Sequence, residues 1–397
     1  MNSSFEAAQI LDRFSEPVQG ISFDLDHIRN KTYLTHNYHP FPAKFIPQIP
    51  SQIIEKLSHT QDHVLDPFCG SGTSLVEACL LGRASIGVDI NPLACLIAKV
   101  KTKPLNDKQL RIAKATALKA KRDVTSLYYQ KLLEEETSVK YTIPEFHNKN
   151  KWFESFILRE LAIVKAHIDN VEDTDVKDFL KIGFSAIIVS VSNQESDTRY
   201  AAIEKNLTKG ITIKMFEDKI DDMSSRMIEF RRLCKATVSV YNADAGDLSF
   251  IPSESVDLVV TSPPFPNTYD YYLYHKFRMI WLSMDYRIAQ EKEIGSRHKH
   301  SDRGLGIDDF SESMTNCIYE MHRLLRNGKY CCIVIGDVIL RGQYVKMNEL
   351  IAKIAKKCGL SHIKEIHYPL RKYTKTFTPK IKTVKKLGHI MFFKRIG

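Results

Sequence analysis

The chain has 397 residues, 43% of them hydrophobic, which is enough for one large α/β domain with an insertion or for two domains. No run approaches the roughly eighteen consecutive apolar residues of a membrane span, and we expect no secretory signal in the polar, mixed-charge N-terminal segment. The net charge of +10 is concentrated in residues 341–397, which hold 15 Lys or Arg and two acids; this is typical of a polyanion-binding protein or of a solvated lysine-rich face.

The first predicted elements alternate between strand and helix. A strand at residues 63–66 is followed by a helix from Ser74 to Gly82, a strand from Ala84 to Asp89 and a helix from Pro92 to Lys101. Proline suits the first turn of a helix because its missing N–H would be unpaired there. This order predicts the start of a doubly wound sheet.

The middle of the chain, from about Leu105 to Cys234, has a helical period. Leu161, Val164 and Ile168 recur at three and four positions, which favours core stripes of helices. Within this region residues 186–205 place a polar stretch after an apolar run, and we expect a loop there.

Strands return after residue 236. We predict strands at 237–242, 255–260, 329–335, 361–368 and 388–393, with the last pair closing antiparallel. We predict a helix that begins near Asp309, capped by Glu312, and stops at Gly328, a helix over 347–358, and a mobile loop over 287–306. The whole is an α/β chain in three parts: 1–104, a helical insertion over 105–236, and 237–397.

The eight cysteines give no sign of a metal site. None forms a Cys-x-x-Cys pair, and no cluster of His and Cys has the spacing of a zinc site. We therefore expect reduced thiols and no structural metal.

A glycine turn follows the first strand, where residues 64–73 read VLDPFCGSGT. Gly70 and Gly72 let the backbone turn tightly and bring its N–H groups close to a ligand. The turn matches neither the dinucleotide fingerprint nor a P-loop. Because an acid, Asp66, precedes it, the turn suits a ligand with a cationic amino-acid end better than one with a pyrophosphate.

Two more acids end the next strands. Asp89, in GVDIN, is placed to bind both ribose hydroxyls, and Asp244 follows the third strand, where it could bind an adenine amino group. Three acids at successive strand ends favour a ligand site over loops with structural glycines.

On these motifs the sequence resembles the class I S-adenosylmethionine-dependent methyltransferases, and specifically the DNA amino-methyltransferases. DPFCGSGT is similar to the family's first motif, GVDIN to its second, and HNYHPFPAKF (36–45) to the segment before the first. The resemblance implies a Rossmann-like, mostly parallel seven-stranded sheet and S-adenosyl-L-methionine as cofactor. The implied cofactor-binding residues are Asp66, Phe68, Gly70, Gly72, Thr73, Asp89, Ile90 and Asp244, with His39, Phe41 and Lys44 from the upstream segment.

The predicted catalytic segment, Ser262-Pro263-Pro264-Phe265, ends the fourth strand. Two consecutive prolines fix φ and donate no hydrogen bonds, so the segment offers a rigid set of acceptors. An exocyclic amine can donate its two hydrogens to the Ser262 hydroxyl and the Pro263 carbonyl, while Phe265 stacks on a base flipped from the duplex. The alternative is a structural proline turn.

The choice of base follows from the first residue of this tetrapeptide. In the family it is commonly Asp or Asn in adenine-N6 enzymes and Ser in cytosine-N4 enzymes, so Ser262 favours cytosine N4. The chain has no Pro-Cys dipeptide, which excludes a cytosine-C5 enzyme. Downstream, Tyr269 and Tyr271 are candidates for base stacking, whereas Trp281 is expected in the core.

We expect sequence-specific cytosine-N4 methylation of double-stranded DNA in a prokaryotic restriction-modification or epigenetic system. The expected location is the cytoplasm, at the nucleoid, with a cognate restriction endonuclease as a candidate partner and no membrane partner. The alternatives are adenine-N6 methylation, RNA amino-methylation and a catalytically silent nucleic-acid-binding protein. Residues 105–236 are the candidate DNA-recognition region, and its candidate contacts are Asn193, Gln194, Ser196, Asp197, Thr198 and Arg199. The candidate phosphate contacts are Lys372, Lys375, Lys380, Lys382, Lys385 and Lys386.

Overall fold

The computed structural model describes residues 17–24, 30–129, 138–267, 269–297, 299, 306–370 and 386–396. Its strands are β1 (His63–Asp66), β2 (Ala84–Asp89), β3 (Gln194–Ser196), β4 (Arg199–Ala202), β5 (Val238–Asn242), β6 (Val256–Thr261), β7 (Leu325–Gly336), β8 (Val338–Leu340), β9 (Gln343–Val345), β10 (Leu360–Pro369) and β11 (Leu387–Arg395). Its helices include α1 (Gln48–Leu57), α2 (Thr73–Leu80), α3 (Pro92–Thr102), α4 (Asp107–Tyr129), α5 (Lys149–Trp152), α6 (Ser155–Asp169), α7 (Thr174–Ile187), α8 (Ile211–Leu233), α9 (Tyr271–Tyr274), α10 (Lys276–Trp281), α11 (Tyr286–Lys292), α12 (Ile307–Leu324) and α13 (Met347–Lys357). No helix in these ranges is long and apolar enough to cross a lipid bilayer.

The main sheet has seven strands in the order β10-β11-β7-β6-β1-β2-β5. The pairs β1–β2, β1–β6, β2–β5 and β6–β7 are parallel, whereas β11 is antiparallel to both β7 and β10. This confirms the predicted doubly wound, mostly parallel sheet with an antiparallel final pair. The chain passes outward from β1 to β2 and β5, and then returns to β6 on the other side of β1. The carboxyl ends of β1 and β6 therefore flank a switch point, where such sheets bind ligands.

Apolar side chains on the central strands alternate between two helical layers. Val64 packs with Ile53 of α1, and the next residue, Leu65, packs on the opposite face with Met314 of α12 and Ile351 of α13. Every residue of β6 is buried. A strand buried on both faces is what parallel sheets require, because crossover helices cover each side.

The insertion between α3 and β5 consists of α4 to α8 and the hairpin β3–β4. Its buried residues Leu161, Phe179 and Phe216 share one apolar cluster with Ile97 of α3 and Trp281 of α10. The insertion therefore packs directly on the sheet-bearing part of the chain.

Two predicted loops contain secondary structure. Residues 186–205 include the end of α7 and the hairpin β3–β4, and residues 287–306 begin inside α11. The loop prediction failed for α11 because the helix starts at a side-chain cap, where Asp285 accepts a hydrogen bond from the Arg287 N–H (2.9 Å), and has little apolar periodicity.

The end of α12 and one pair of cysteines also differ from expectation. The helix ends at Leu324, where β7 begins, and Asp309 accepts a hydrogen bond from the Gly306 N–H (2.7 Å) without Glu312. Cys79 and Cys234 form a disulfide with a Cα–Cα distance of 5.4 Å, so not all thiols are reduced as expected. The two lie 155 residues apart, and such a separation leaves no local sequence signal.

Candidate active site

A cavity lies at the carboxyl edge of the sheet, beside the switch point between β1 and β6. Its empty volume is about 970 Å³, including the open mouth. The predicted residues that line it are Phe41, Lys44, Asp66, Phe68, Gly70, Thr73, Asp89, Ile90, Asp244, Ser262 and Pro264. The predicted residues outside its lining are His39, Gly72, Pro263 and Phe265. The glycine turn and the proline segment thus open onto the same cavity.

The two glycines of the turn have different roles. Gly70 has a φ of +48° and donates its N–H to Asp89 Oδ2 at 2.9 Å, so it joins the turn to the second strand. Gly72 has a φ of +76° and precedes α2, and a Cβ there would lie 2.8 Å from the Cβ of Ala98 on α3. Gly72 therefore lets α2 and α3 pack closely, and its predicted cofactor contact remains a prediction.

Asp89 is the last residue of β2, and backbone N–H groups orient both of its carboxylate oxygens. Oδ1 accepts from the Asn91 N–H at 2.8 Å, and Oδ2 accepts from Gly70. Burial nevertheless raises the pKa of Asp89 to about 6, against the effect of these two hydrogen bonds. Each oxygen keeps a lone pair free, which suits hydroxyl donors such as those of a ribose.

Asp66 lies at the end of β1, where its Oδ1 accepts from the Thr261 hydroxyl at 2.6 Å and from the Phe68 N–H at 3.2 Å. Burial raises its pKa to about 6, and the neighbouring charge of Asp89 adds to the rise. Two carboxylates that repel one another in a partly buried cavity favour a cationic ligand, because a positive charge offsets both costs. The carboxylates of Asp66 and Asp89 thus suit the positively charged sulfonium and ammonium groups of S-adenosylmethionine.

Asp244 lies in the turn after β5 and is exposed at the cavity. Its Oδ1 accepts from the Gly246 N–H at 2.9 Å, which fixes the carboxylate orientation. The other oxygen remains available to an amino group at that side of the cavity.

The proline segment leaves β6 directly after Thr261. Ser262 and Pro264 are partly buried and line the cavity, whereas Pro263 is buried. The ring of Phe265 packs on β7, since a Cβ at Gly336 would lie 3.0 Å from Phe265 Cε2. The Cε2 edge of this ring therefore contacts protein.

Aromatic side chains from the upstream segment cover the glycine turn. Phe41 stacks on Tyr271 with ring centroids 5.6 Å apart at 24°, and its Cε1 would lie 3.4 Å from a Cβ at Gly70. His39 is buried elsewhere, with Nε2 hydrogen-bonded to Ser185 Oγ at 2.9 Å. The predicted cofactor contact of His39 is thus corrected to a contact with the insertion.

Glu293 is a cavity residue that the sequence analysis missed. It follows α11, is 6% exposed, and accepts from the Tyr271 N–H (2.9 Å) and the Tyr272 N–H (3.4 Å) at the start of α9. Burial raises its pKa to about 8, although these hydrogen bonds act in the opposite direction. The N-cap at Asp285 was the available signal for α11 and hence for this wall of the cavity.

The predicted DNA contacts in the insertion are only partly accessible. Asn193 and Gln194 are buried, and the Gln194 side chain donates to the Ser196 carbonyl at 2.9 Å. Arg199 is exposed and pairs with Glu195 at 2.8 Å. Of the predicted phosphate contacts, Lys386 is partly buried, and Lys372, Lys375, Lys380, Lys382 and Lys385 lie outside the described residues.

The comparisons with known proteins return DNA methylases and methyltransferases. A family model described as DNA methylase, for N6 and N4 enzymes, matches residues 12–100. Type II methyltransferase M.MvaI of Kocuria varians is 25% identical over 408 aligned positions, covering 89% of this chain and 88% of that protein. Type II methyltransferase M.MjaII of Methanocaldococcus jannaschii is 24% identical, covering 88% and 79%. A SAM-dependent methyltransferase structure from Methanosarcina mazei is 11% identical, covers 87% of this chain and 97% of its own, and aligns with a TM-score of 0.34.

The sheet, the acidic cavity and the glycine turn define a class I methyltransferase. The chain resembles the DNA amino-methyltransferases, since the DNA methylase model for N6 and N4 enzymes matches residues 12–100 and the type II methyltransferase relatives align with most of its length. It is a DNA methyltransferase with S-adenosyl-L-methionine as its cofactor. The family prediction and the cofactor prediction are thereby confirmed.

Proposed function

We propose that this protein methylates the exocyclic N4 amine of cytosine in a specific double-stranded DNA sequence. The observation that carries the choice of amine is Ser262, which begins the SPPF segment and lines the same cavity as Asp89. A serine at this place is common in cytosine-N4 enzymes of the family, whereas adenine-N6 enzymes commonly have Asp or Asn.

The cavity residues divide between the parts of the cofactor. S-adenosyl-L-methionine, when bound, supplies an electrophilic methyl group on a positively charged sulfur. Asp89 would hold the ribose, Asp244 the adenine amino group, and Asp66 with the Gly70 turn the methionine end. The acidic lining attracts the cation, and Phe41 with Tyr271 excludes water from above the turn.

The proline segment positions the target amine. The Ser262 hydroxyl and the Pro263 carbonyl accept its two hydrogens, which turns the nitrogen lone pair out of the base plane and toward the acidic side of the cavity. S-adenosyl-L-methionine, if bound there, would supply the methyl group of the new N–C bond and keep the electron pair of the broken C–S bond, while Ser262 and Pro263 would hold the amine as it loses one proton to solvent. No strongly basic residue is needed, so catalysis is mostly positioning.

The target base must leave the duplex to reach Ser262, because a paired cytosine uses its amine in the double helix. Tyr271 lines the cavity and Phe265 directly follows Pro264, which also lines it, so these two rings are the candidates for stacking on the base. In the insertion, Arg199 is exposed and Ser196, Asp197 and Thr198 are partly exposed, so these four remain the candidates for a DNA contact near the hairpin β3–β4.

The biological setting we propose is a prokaryotic restriction-modification system, in the cytoplasm with the nucleoid. The type II methyltransferase names of the relatives support this setting. A cognate restriction endonuclease that reads the same DNA sequence would be the partner in that system.

Product analysis tests the proposal. The protein is incubated with methyl-labelled cofactor and either plasmid DNA or RNA, the nucleic acid is digested to nucleosides, and the labelled nucleoside is identified by mass. We expect N4-methylcytosine from DNA, formed about 10- to 100-fold more slowly by Ser262→Ala. N6-methyladenine, a labelled ribonucleoside or no transfer by the wild-type protein would each contradict the proposal, and each corresponds to one of the three alternatives.

A further inference from the structure

A second cluster of chemically active side chains lies outside the methyl-transfer cavity, where β10 and β11 pair. Glu365 Oε1, His367 Nδ1 and His389 Nδ1 all lie within 4.8 Å of one another. The three pairwise distances are 2.8 Å between His389 and Glu365, 3.3 Å between His367 and Glu365, and 3.0 Å between the two histidines. We propose that these three residues form a binding site for a divalent transition-metal ion of the zinc type.

The strand register brings the three residues together. Glu365 and His367 are two residues apart on β10 and so project from the same face. His389 lies directly opposite His367 in the antiparallel pair β10–β11. The Cys and His spacing on which the sequence analysis relied could not find this site, because its ligands meet only through pairing of strands that are distant along the chain.

The distances fit ligands around one ion. Zinc binds His nitrogen and carboxylate oxygen at about 2.0–2.2 Å, which places neighbouring ligand atoms of a tetrahedron about 3.3 Å apart. The observed separations need only small side-chain adjustments to reach that value. Two His and one Glu leave a fourth position for water.

His389 is oriented for metal binding by a buried partner. Its Nε2 lies 2.9 Å from Asp337 Oδ1, and both side chains are almost fully buried. A hydrogen bond from Nε2–H to Asp337 leaves the Nδ1 lone pair facing His367 and Glu365. When His367 Nδ1 is also unprotonated, two ring acceptors and a carboxylate face one another, and a metal ion would satisfy all three.

Asp337 is itself held firmly. Its Oδ1 accepts from the Met347 N–H at 3.1 Å, and its Oδ2 accepts from the Leu387 N–H at 3.2 Å and from the Tyr344 hydroxyl. A carboxylate that orients the far nitrogen of a histidine ligand is a common feature around protein-bound zinc. On the opposite side His367 is half-exposed, which gives an ion a route from solvent.

The test uses the full-length chain freed of metal by a chelator and titrated with Zn²⁺ by calorimetry. We expect one ion per chain, and a dissociation constant raised about tenfold or more in His367→Ala and in Glu365→Gln. His362→Ala is the matched control, because its Nε2 lies 3.9 Å from Glu365 Oε2 but outside the three ligands. Its dissociation constant should stay within about twofold of wild type, as expected for a residue beyond the ligand shell.

Two further readouts separate this site from binding elsewhere. Co²⁺ should give the visible absorption of four-coordinate nitrogen and oxygen ligands in the wild type and lose it in His367→Ala. Zn²⁺ should raise the melting temperature of the wild type and of His362→Ala, but not of His367→Ala, since an ion that binds only the folded state stabilises it. Absence of Zn²⁺ binding, or equal affinity in His367→Ala, would show that His389 merely bridges Asp337 and Glu365 as a protonated side chain.

Discussion

At the scale of single residues, Ser262 is the side chain on which the proposed reaction depends most. Its hydroxyl orients the amine but does not reach the acids that hold the cofactor. We therefore expect Ser262→Ala to lower kcat about 10- to 100-fold, the equivalent of one hydrogen bond in the transition state, while the cofactor Kd stays within about twofold. Phe265→Ala should likewise lower turnover and spare cofactor binding.

Single-turnover methylation and equilibrium dialysis with labelled cofactor measure these two quantities. The exposed Ser249 supplies the control substitution Ser249→Ala, which should change neither. Loss of cofactor affinity in both Ser262→Ala and Phe265→Ala would overturn the roles given to them.

Glu293 predicts a pH dependence of stability. Its pKa is raised in the folded protein, chiefly by burial, from 4.5 to about 8. The folded state therefore favours protonated Glu293. The resulting gain in the free energy of unfolding is fully present below pH 4.5 and is lost as the pH rises toward 8. Between these values the wild type should lose stability relative to Glu293→Gln by up to about 1.4 kcal/mol per pH unit.

Urea unfolding of the cofactor-free protein at several pH values tests this expectation. Glu312→Gln, at an exposed glutamate, is the control and should shift stability equally at every pH. A difference between wild type and Glu293→Gln that is constant from pH 5 to pH 8 would contradict a raised pKa.

At the scale of secondary-structure elements, the contact between α2 and α3 depends on Gly72. Gly72→Ala would place a Cβ 2.8 Å from Ala98 in a backbone conformation with φ of +76°. Gly210→Ala is a matched control, because Gly210 has a φ of +84° and no atom within 4 Å of the Cβ position. The two variants share the backbone cost and differ in the clash.

We expect Gly72→Ala to lower the free energy of unfolding by about 1–3 kcal/mol more than Gly210→Ala does, the usual cost of overpacking. Chemical denaturation of both variants gives this difference directly. Equal losses would mean that α3 moves away at little cost, and that the close packing of α2 on α3 is unimportant.

The strands were largely predictable from sequence because β1, β2 and β6 are short apolar runs bounded by turn residues. The cavity acids Asp66 and Asp89 were predictable because they end such strands. Glu293 was not, since it reaches the cavity only through a helix that has little apolar periodicity and starts at an Asp cap. His39 was assigned to the ligand because sequence alone does not separate a residue that faces a cavity from one that packs behind it.

At the scale of the whole molecule, charge is divided between an acidic cavity and a basic C-terminal end. Lys372, Lys375, Lys380 and Lys382 are part of that end in the sequence. If they contact DNA phosphates, changing all four to Ala should reduce the slope of log K against log salt by up to about 0.9 per lost contact. Preference for the target sequence should not change, because phosphate contacts do not read bases.

Fluorescence anisotropy with target and non-target duplexes at several salt concentrations measures both effects. The control changes Lys31, Lys56, Lys103 and Lys329, which lie outside both the basic C-terminal end and the candidate DNA-recognition region. An unchanged slope in the C-terminal variant would place the DNA on another surface.

The central claim is that one cavity holds the methyl donor and the target amine together. A crystal structure with S-adenosylhomocysteine and an unmodified duplex that contains the target sequence tests it most directly. We predict that the sulfur lies between Asp66 and Asp89, with a flipped cytosine whose N4 is hydrogen-bonded to Ser262. A cofactor bound outside this cavity, or a target base that faces away from Ser262, would contradict the account.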